Sequence, residues 1–427
     1  HRRGACFRAN LILSSGQDDR ELSSMNEEVR NDGQKQWCAN MTRLIGNRVE
    51  QCLNIADLRR AAARRAHRMV FDYIDGGADD EWTLDNNVRA FDRYELLYRV
   101  LTGADEIDLT TTVLGTRIDV PFFCSPAAGN RLFHTEGERA VAKAAANAGT
   151  VYSLSTLSSV SIEEVAALTA GPKWFQLYVW KDRTLVKEML DRARAAGFTA
   201  LILTVDFPVT GNRERDPRNG FTIPPRYGPR QGWWALMSPG WTWDYLSGPR
   251  IRYANLAGDT DAVSLASFVE EQFHAGFSWQ DAEWLLGEWA GPSIIKGVVR
   301  VDDATRATEL GFDAVMVSNH GGRQLDYSPA PIDVLRDIVQ AVGSDAEVIL
   351  DGGIRRGTDI IKALALGATA TSFARPYLYG LAAGGEAGVN RALDILATEL
   401  RRDMVLLGAR SIGQIDESCI RRLPRTV

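Results

Sequence analysis

The sequence predicts an α/β fold, a (β/α)8 TIM barrel with a long insert after strand 4, on two observations. Eight short apolar runs of strand length follow one another along the chain. Helix-like segments separate most of them and end at a glycine, the usual C-terminal stop of a helix. Eight such units favour a closed barrel over a doubly wound open sheet, which is the alternative. The runs lie at residues 120–124, 151–154, 174–178, 200–205, 294–298, 314–317, 347–351 and 370–373.

Composition narrows the class of protein before any motif is considered. The net charge of -6 argues against nucleic acid as the main partner. No stretch approaches about 18 consecutive apolar residues, so no membrane-spanning helix is expected. The five cysteines are widely spaced and contain no C-x-x-C pair, which predicts a reducing, cytoplasmic location and no metal site.

Two regions are predicted, a loosely ordered N-terminal extension over residues 1–50 and one barrel domain over 51–427. Residues 1–50 have mixed polarity and no sustained period. Residues 55–71 show a helical pattern, and the glycine- and acid-rich stretch at 71–82 predicts a loop that covers something. The alternative for this stretch is an acidic turn at the surface. The tail at 387–407 predicts an amphipathic helix that packs on the barrel.

The insert after the fourth strand, at about 207–291, is long enough to carry function or structure of its own. Its middle holds five Trp and Tyr residues between positions 233 and 245. Residues 211–254 contain seven arginines against three acids. Basic residues beside tryptophan suit a membrane interface with anionic lipid. The alternative is a lid or an oligomer contact packed by tryptophan.

Polar residues follow nearly every predicted strand, at the end where barrel enzymes place their chemistry. His320 can take a proton near neutral pH, and Arg323 is a planar fork suited to a carboxylate. Lys296 needs an anionic partner if it is buried, and a flavin anion or a Schiff base could use it. Glycines and an arginine at 351–355, with Arg375 after the eighth strand, predict an anion cradle in the two loops that commonly bind phosphate.

Together these motifs resemble the FMN-dependent α-hydroxy-acid oxidases and dehydrogenases, the group of glycolate oxidase, FMN-type lactate dehydrogenase and mandelate dehydrogenase. The resemblance covers about residues 55–410. It rests on Ser318-Asn319-His320-Gly321-Gly322-Arg323-Gln324-Leu325-Asp326, on Phe175-Gln176-Leu177-Tyr178 and on Asp351-Gly352-Gly353-Ile354-Arg355. The insert, with Pro239-Gly240-Trp241-Thr242-Trp243-Asp244, most resembles the membrane-associated bacterial L-lactate and mandelate dehydrogenases.

The resemblance implies a role for each matching residue. His320 is implied as the active-site base, with Asp206 holding its charged form and Tyr178 bonding near the substrate oxygen. The residues implied for binding the substrate carboxylate are Tyr73, Arg213 and Arg323. The residues implied for binding FMN are Ala127, Ala128, Ser155, Gln176, Thr204, Lys296, Ser318, Asp351, Gly352, Gly353, Arg355, Ala374 and Arg375. Ala374 stands where the family often has glycine.

The implied activity is FMN-dependent oxidation of an L-2-hydroxy acid, lactate-like or mandelate-like, to the 2-oxo acid, in a homotetramer. The insert favours a quinone acceptor and a peripheral position on the inner face of the cell membrane. Ala128, however, occupies a position where the oxidases also carry alanine, so an oxygen-using oxidase that releases hydrogen peroxide is the alternative. A non-redox barrel with a phosphorylated ligand and a degenerate barrel kept as a scaffold are the alternatives of other classes.

Overall fold

The computed structural model describes residues 49–178, 180–221, 226, 228–249, 251–256 and 275–424. The predicted extension at 1–50 lies outside these residues except for its last two. The strands are β1 (Tyr94–Leu96), β2 (Thr111–Val113), β3 (Thr116–Ile118), β4 (Phe122–Cys124), β5 (Tyr152–Ser155), β6 (Lys173–Leu177), β7 (Ala200–Thr204), β8 (Ser293–Val298), β9 (Ala314–Val317), β10 (Glu347–Asp351), β11 (Ala370–Phe373) and β12 (Ile420–Arg422).

The described helices surround these strands. They are α1 (Ile55–Arg65), α2 (Arg68–Asp75), α3 (Trp82–Arg89), α4 (Gly137–Asn147), α5 (Ile162–Leu168), α6 (Arg183–Ala195), α7 (Arg215–Asn219), α8 (Pro229–Met237), α9 (Pro239–Ser247), α10 (Trp279–Trp289), α11 (Val301–Leu310), α12 (Pro331–Val342), α13 (Gly357–Ala365) and α14 (Arg375–Leu407).

Strands β4 to β11 form a closed barrel in which every neighbouring pair is parallel and β11 pairs with β4. The predicted barrel is therefore confirmed, and closure excludes the open sheet. Each strand lies within two residues of its predicted bounds. The apolar runs read as continuous because strands such as β7 are buried at every position.

The barrel interior is packed with side chains rather than open. Phe123 and Trp174 meet edge to face inside it, with ring centroids 4.9 Å apart. The β2–β3 hairpin adds Val113 and Ile118 to the same buried cluster, and the backbone N–H of Leu114 donates to the Glu347 carboxylate at the start of β10. The hairpin therefore covers the N-terminal end of the barrel, which leaves the C-terminal end for a site.

The prediction of a loop at 71–82 is wrong for residues 71–75, because α2 continues to Asp75. Val70 and Ile74 are buried against the core, which extends the apolar face of the helix. Asp75 is buried and accepts hydrogen bonds from Arg59 at 2.5 Å and from Tyr379 at 2.9 Å, whereas Asp79 and Asp80 beyond the helix are exposed. The helix therefore carries Tyr73 to the C-terminal end of the barrel.

The last helix, α14, is interrupted at Gly384 and Gly385, and only Gly385 has a positive φ, of 59°. Its second half corresponds to the predicted tail helix at 387–407. That half packs against α1 and α4, on the outside of the barrel.

The insert contains α7 to α10, and residues 257–274 within it lie outside the described residues. Helices α8 and α9 follow each other directly at Ser238. We call these two tryptophan-containing helices, residues 229–247, the tryptophan pair. Among the described helices, none is both long and apolar enough to cross a membrane.

Candidate active site

A cavity of about 710 Å³ opens where the barrel strands end. Fifteen of the predicted site residues line it, drawn from the ends of most barrel strands and from α2 and the insert. They are Tyr73, Ala127, Ala128, Tyr178, Thr204, Arg213, Lys296, His320, Arg323, Asp351, Gly352, Gly353, Arg355, Ala374 and Arg375. The remaining four, Ser155, Gln176, Asp206 and Ser318, lie behind the wall and connect to lining residues by hydrogen bonds.

The imidazole of His320 is held by Asp206, whose Oδ1 lies 2.9 Å from His320 Nδ1. A carboxylate can only accept here, so the Nδ1 proton is directed at Asp206 and Nε2 is left as the acceptor. Both side chains are mostly shielded, at 20% and 13% exposure. This arrangement suits a base whose protonated form is stabilised by a nearby negative charge.

Backbone geometry makes the His320–Asp206 pair possible. His320 has a φ of 58°, and Gly321 and Gly322 follow with φ of 66° and 74°. Histidine tolerates this left-handed region better than most residues. On β8, the strand between β7 and β9, a Cβ atom on Gly297 would lie 2.5 Å from Asp206 Cγ, so only glycine leaves room for the carboxylate.

Two guanidinium groups meet at one aromatic ring. Arg323 Cζ lies 4.7 Å from the centre of the Tyr73 ring, and Arg213 Cζ lies 5.6 Å from it. Arg323 also donates to the backbone oxygens of Tyr73 and Gly76, at 2.6 and 3.2 Å, which fixes its orientation. Burial, with the charge of Arg213, lowers the pKa of Arg323. Two neighbouring cations in a sheltered site are stabilised by a bound anion such as a carboxylate.

The sequence interpretation missed Asp216, which lines the cavity beside these arginines. Its Oδ2 lies 3.7 Å from Arg213 Nε. Burial raises the pKa of Asp216, although Arg323 and Arg213 oppose that rise. The spacing of three residues between Arg213 and Asp216, about one helical turn, is the signal that could have placed them together.

Apolar lining residues were also missed. Leu132, Phe133, Phe207, Phe221, Tyr253 and Leu378 line the cavity from separate segments. No local pattern in the sequence joins segments so far apart.

Tyr178 is connected to the base through the ring of Phe207. Its ring centre is 5.3 Å from that of Phe207, which in turn is 5.5 Å from the ring of His320. Burial, followed by the negative charge of Asp206, raises the pKa of the Tyr178 hydroxyl. The hydroxyl therefore stays protonated at neutral pH and can donate a hydrogen bond.

Lys296 and Asp351 form a buried ion pair on the cavity floor, with Nζ and Oδ2 2.7 Å apart. Ser318 accepts from Lys296 at 3.0 Å and donates to Asp351 Oδ2 at 2.7 Å, while Ser125 and Ser372 each donate to Oδ1 at 2.8 Å. The anionic partner that Lys296 requires is therefore Asp351. Its pairing with Lys296, across the one strand that separates β8 from β10, could not be read from the sequence.

The pair keeps both groups charged. Burial works against the charge of Lys296, but Asp351 and Asp206 outweigh it, so the pKa of Lys296 stays above its ordinary value. Burial likewise opposes the charge of Asp351, and Lys296 reverses that effect and lowers its pKa. A Schiff base needs a neutral amine, so this pairing disfavours that use of Lys296.

A chain of hydrogen bonds crosses three adjacent strands beneath the cavity. Ser155 Oγ donates to Gln176 Oε1 at 3.0 Å, and Gln176 Nε2 donates to Thr204 Oγ1 at 3.0 Å. Because Thr204 accepts from Gln176, its own O–H is free to point elsewhere. The chain therefore presents an oriented hydroxyl at the cavity wall.

A second cationic end of the cavity adjoins the carboxylate clamp, since Arg375 and Arg323 both donate to the backbone oxygen of Gly76. Arg375 begins α14 and donates to the backbone oxygens of Ile74, Gly76 and Gly321, at 3.0, 2.9 and 2.8 Å. Burial lowers the pKa of Arg375 to about 10, which still leaves it charged at neutral pH. Arg355 lines the same end. Two arginines beside the N-terminus of a long helix suit a phosphate group.

This set of groups fits FMN. The cationic end can take the phosphate, the Lys296 ammonium can face a flavin that carries negative charge, and Thr204 offers a polar contact to a ring edge. Gly353 has a φ of 79°, and a Cβ atom there would lie 2.3 Å from the Asn87 backbone oxygen. This position of the loop beside the cavity must therefore be glycine. Lys296 is already paired with Asp351, but the buried Arg375 donates only to neutral backbone oxygens in the hydrogen bonds described above, so an anionic group such as a phosphate would complete its surroundings.

Comparison with known proteins agrees with this geometry. Residues 62–422 match the model of the FMN-dependent dehydrogenase family. An L-lactate oxidase of Nostoc sp. is 46% identical over 374 residues, which cover 87% of this chain and 98% of that protein. A putative L-lactate dehydrogenase of Mycobacterium tuberculosis is 41% identical, over 88% of this chain and 91% of that protein. The crystal structure of a monotopic membrane (S)-mandelate dehydrogenase superposes with a TM-score of 0.85 at 35% identity, over 87% of this chain and 99% of that chain.

Proposed function

The chain belongs to the FMN-dependent dehydrogenase family and is an FMN-dependent 2-hydroxy-acid oxidoreductase; we propose that it oxidises an L-2-hydroxy acid of the lactate or mandelate type and passes the electrons to a quinone. The observation that carries the proposal is the His320–Asp206 pair facing the same cavity as the Arg213 and Arg323 guanidinium groups. A base and an anion clamp in one cavity are what a 2-hydroxy acid requires.

The roles of the chain's own groups follow from their chemistry. Arg213 and Arg323 bind and orient the substrate carboxylate, which holds the reacting carbon in one position. Tyr178 donates a hydrogen bond to the substrate oxygen. His320 takes a proton from the substrate at Nε2, and the resulting imidazolium is stabilised by Asp206.

The residues that hold FMN are proposed from the same cavity. Arg355, Arg375 and the glycines at 352 and 353 take the phosphate end, and Lys296 faces the flavin. FMN, when bound, accepts the two electrons that leave the substrate. Ser318 and Asp351 keep Lys296 charged and in place.

The proposal is tested by mixing the purified yellow protein anaerobically with matched L- and D-2-hydroxy acids and following flavin absorbance. We expect bleaching by L-lactate or L-mandelate and at least about 100-fold slower bleaching by the D-forms, because one enantiomer alone can present its reacting hydrogen while clamped. Equal rates for both enantiomers, or no bleaching by any acid, would contradict the proposal.

Two observations bear on the electron acceptor. The exposed tryptophan pair supports a membrane quinone, whereas the Nostoc relative named as an oxidase supports oxygen as the alternative acceptor. After reduction by substrate, reoxidation by a soluble quinone should outpace reoxidation by air. Hydrogen peroxide released in an amount equal to the acid consumed, with quinone present, would favour the oxidase.

The membrane contact is proposed for the exposed face of the tryptophan pair. Trp233, Leu236 and Leu246 are 61%, 74% and 73% exposed there. Such a cluster of large apolar side chains is typical of an interfacial anchor. The positive charge near it is smaller than the arginine count suggests, since Arg213 faces the cavity and Arg215 pairs with Asp75 and Glu81.

Replacing Trp233, Leu236 and Leu246 together by serine should weaken binding to anionic phosphatidylglycerol vesicles by about 10-fold or more. Each side chain contributes up to about 1.5–3 kcal/mol when it leaves water. Co-sedimentation measures the binding, and flavin reduction should be unchanged. The matched control is Leu406→Ser, which removes a side chain that is 66% exposed at the end of α14. Vesicle binding that the triple variant retains in full would remove this surface from the proposal.

Assembly and location complete the proposal. We propose a homotetramer, as the resemblance to the family implies, that lies peripherally on the inner face of the cell membrane. Sedimentation velocity of the FMN-bound protein gives the number of subunits directly.

A further inference from the structure

Trp241 joins the tryptophan pair to the wall of the cavity. Trp241 Nε1 donates to the backbone oxygen of Leu132 at 2.8 Å, and Leu132 lines the cavity. Trp241 is only 7% exposed, whereas Trp243 on the same helix is 54% exposed. One tryptophan of α9 therefore faces the barrel and the other faces outward.

The wall that Trp241 holds continues to the carboxylate clamp. Phe133, next to Leu132, stacks against the ring of Tyr73 with centroids 6.2 Å apart and planes 26° from parallel. The Arg323 guanidinium lies over that same ring. A shift of the Leu132–Phe133 backbone therefore changes the space between this wall and the clamp.

Further contacts tie the same segment to the tryptophan pair. Arg131 donates to the oxygen of Pro249 at 2.5 Å, just after α9. His134 Nε2 lies 3.7 Å from Asp244 in α9. Burial, with Arg65, lowers the pKa of His134 to about 3, so its contact with α9 is that of a neutral imidazole at neutral pH.

Trp241 also contacts the residue that begins α2. Its ring centre lies 5.1 Å from that of His67. His67 caps α2 by accepting from the Met69 N–H at 3.3 Å, and α2 carries Tyr73. The indole therefore lies between the two segments that form one side of the substrate space.

We propose that Trp241 is a positioning residue that sets the width of the substrate side-chain space, and so selects among 2-hydroxy acids by size. The inference rests on the proposed function, because it takes this cavity to be the place where the acid binds. An acid with an aryl side chain fills the space beside Leu132 and Phe133 and depends on the wall. An acid with a methyl side chain depends on it much less.

The test compares Trp241→Phe with the native holoenzyme in steady-state assays with L-mandelate and L-lactate. Phenylalanine keeps a ring beside His67 but removes the N–H donor to Leu132. We expect KM for the aryl acid to rise by about 3–10-fold, the range that one lost hydrogen bond supports. We also expect KM for lactate to change by less than about 2-fold and kcat for both to stay within about 2-fold, because the base is not moved.

Trp289→Phe is the matched control. Trp289 is 4% exposed, and its Nε1 donates to the oxygen of Pro292 at 2.9 Å, on α10 and away from the cavity. This variant loses the same type of bond and should leave the ratio of the two KM values unchanged. An unchanged ratio in Trp241→Phe, or an equal change in both variants, would overturn the proposal.

Two further measurements keep the outcome decisive. If Trp241→Phe does not fold, site-specific 3-benzothienylalanine at position 241 replaces the N–H by sulfur and keeps the ring shape. An unchanged KM ratio in that protein overturns the proposal in the same way. If the native enzyme reduces its flavin with neither acid, the proposed function fails instead, so the two failures are distinguishable.

Discussion

Replacing His320 by alanine should lower kcat by about 10²–10⁴-fold while FMN stays bound, because the site loses the group that takes the substrate proton. The flavin contacts proposed for Lys296 and Arg375 do not pass through this imidazole. Stopped-flow reduction of the flavin measures the effect, and the absorbance ratio of flavin to protein measures FMN content. Near-normal turnover in the variant would remove His320 from the mechanism.

His320→Asn is the control for backbone strain at this position. The φ of 58° disfavours alanine, whereas asparagine adopts the left-handed region more readily. Asparagine cannot act as a base near neutral pH, so its kcat should fall as far as that of the alanine variant. If the asparagine variant recovers most of the activity, the alanine defect comes from the backbone and not from the lost base.

Replacing Lys296 by methionine should lower the free energy of unfolding by about 3–5 kcal/mol, since it leaves the buried Asp351 carboxylate without its cation. That loss is a large fraction of the total stability of a typical domain, about 5–15 kcal/mol. We also expect the variant to retain less FMN after gel filtration. Urea unfolding of the FMN-bound protein, followed by far-UV circular dichroism, measures the change.

Lys143→Met is the matched control for loss of a lysine charge. Its Nζ lies 3.9 Å from Glu386, and the two side chains are 47% and 35% exposed. An exposed pair of this kind contributes about 0–1 kcal/mol. If the free energy of unfolding of Lys296→Met equals that of Lys143→Met, the buried pair of Lys296 and Asp351 adds little net stability.

The best pH for the urea unfolding experiment follows from the pKa shifts of Asp351 and Lys296. The pKa of Asp351 is depressed, so its contribution is present above the ordinary carboxyl pKa and is lost only as pH falls through the lower folded value. The pKa of Lys296 is raised, so its contribution is present below the ordinary lysine pKa and is lost only as pH rises through the higher folded value. Both contributions are complete near pH 7, where the difference between variants is largest.

The order of strands and helices and the polar groups at the strand ends can be predicted from the amino-acid sequence alone. A strand such as 314–317 can be recognised in the sequence because burial on both faces makes it continuously apolar. His320 and Arg323 are legible because they share one local motif at such an end. The barrel fold and the polar groups at the ends of its strands can therefore be predicted from short stretches of the chain.

Which side chains meet depends on how the separate elements pack in three dimensions. Asp351 on β10 pairs with Lys296 on β8 across the intervening strand β9, and Asp216 enters the clamp with Arg213. The Trp241 bond to Leu132 joins residues more than one hundred positions apart. The physical reason is that periodicity reports which face of an element is buried, whereas the partner of a buried charge or donor depends on how separate elements pack.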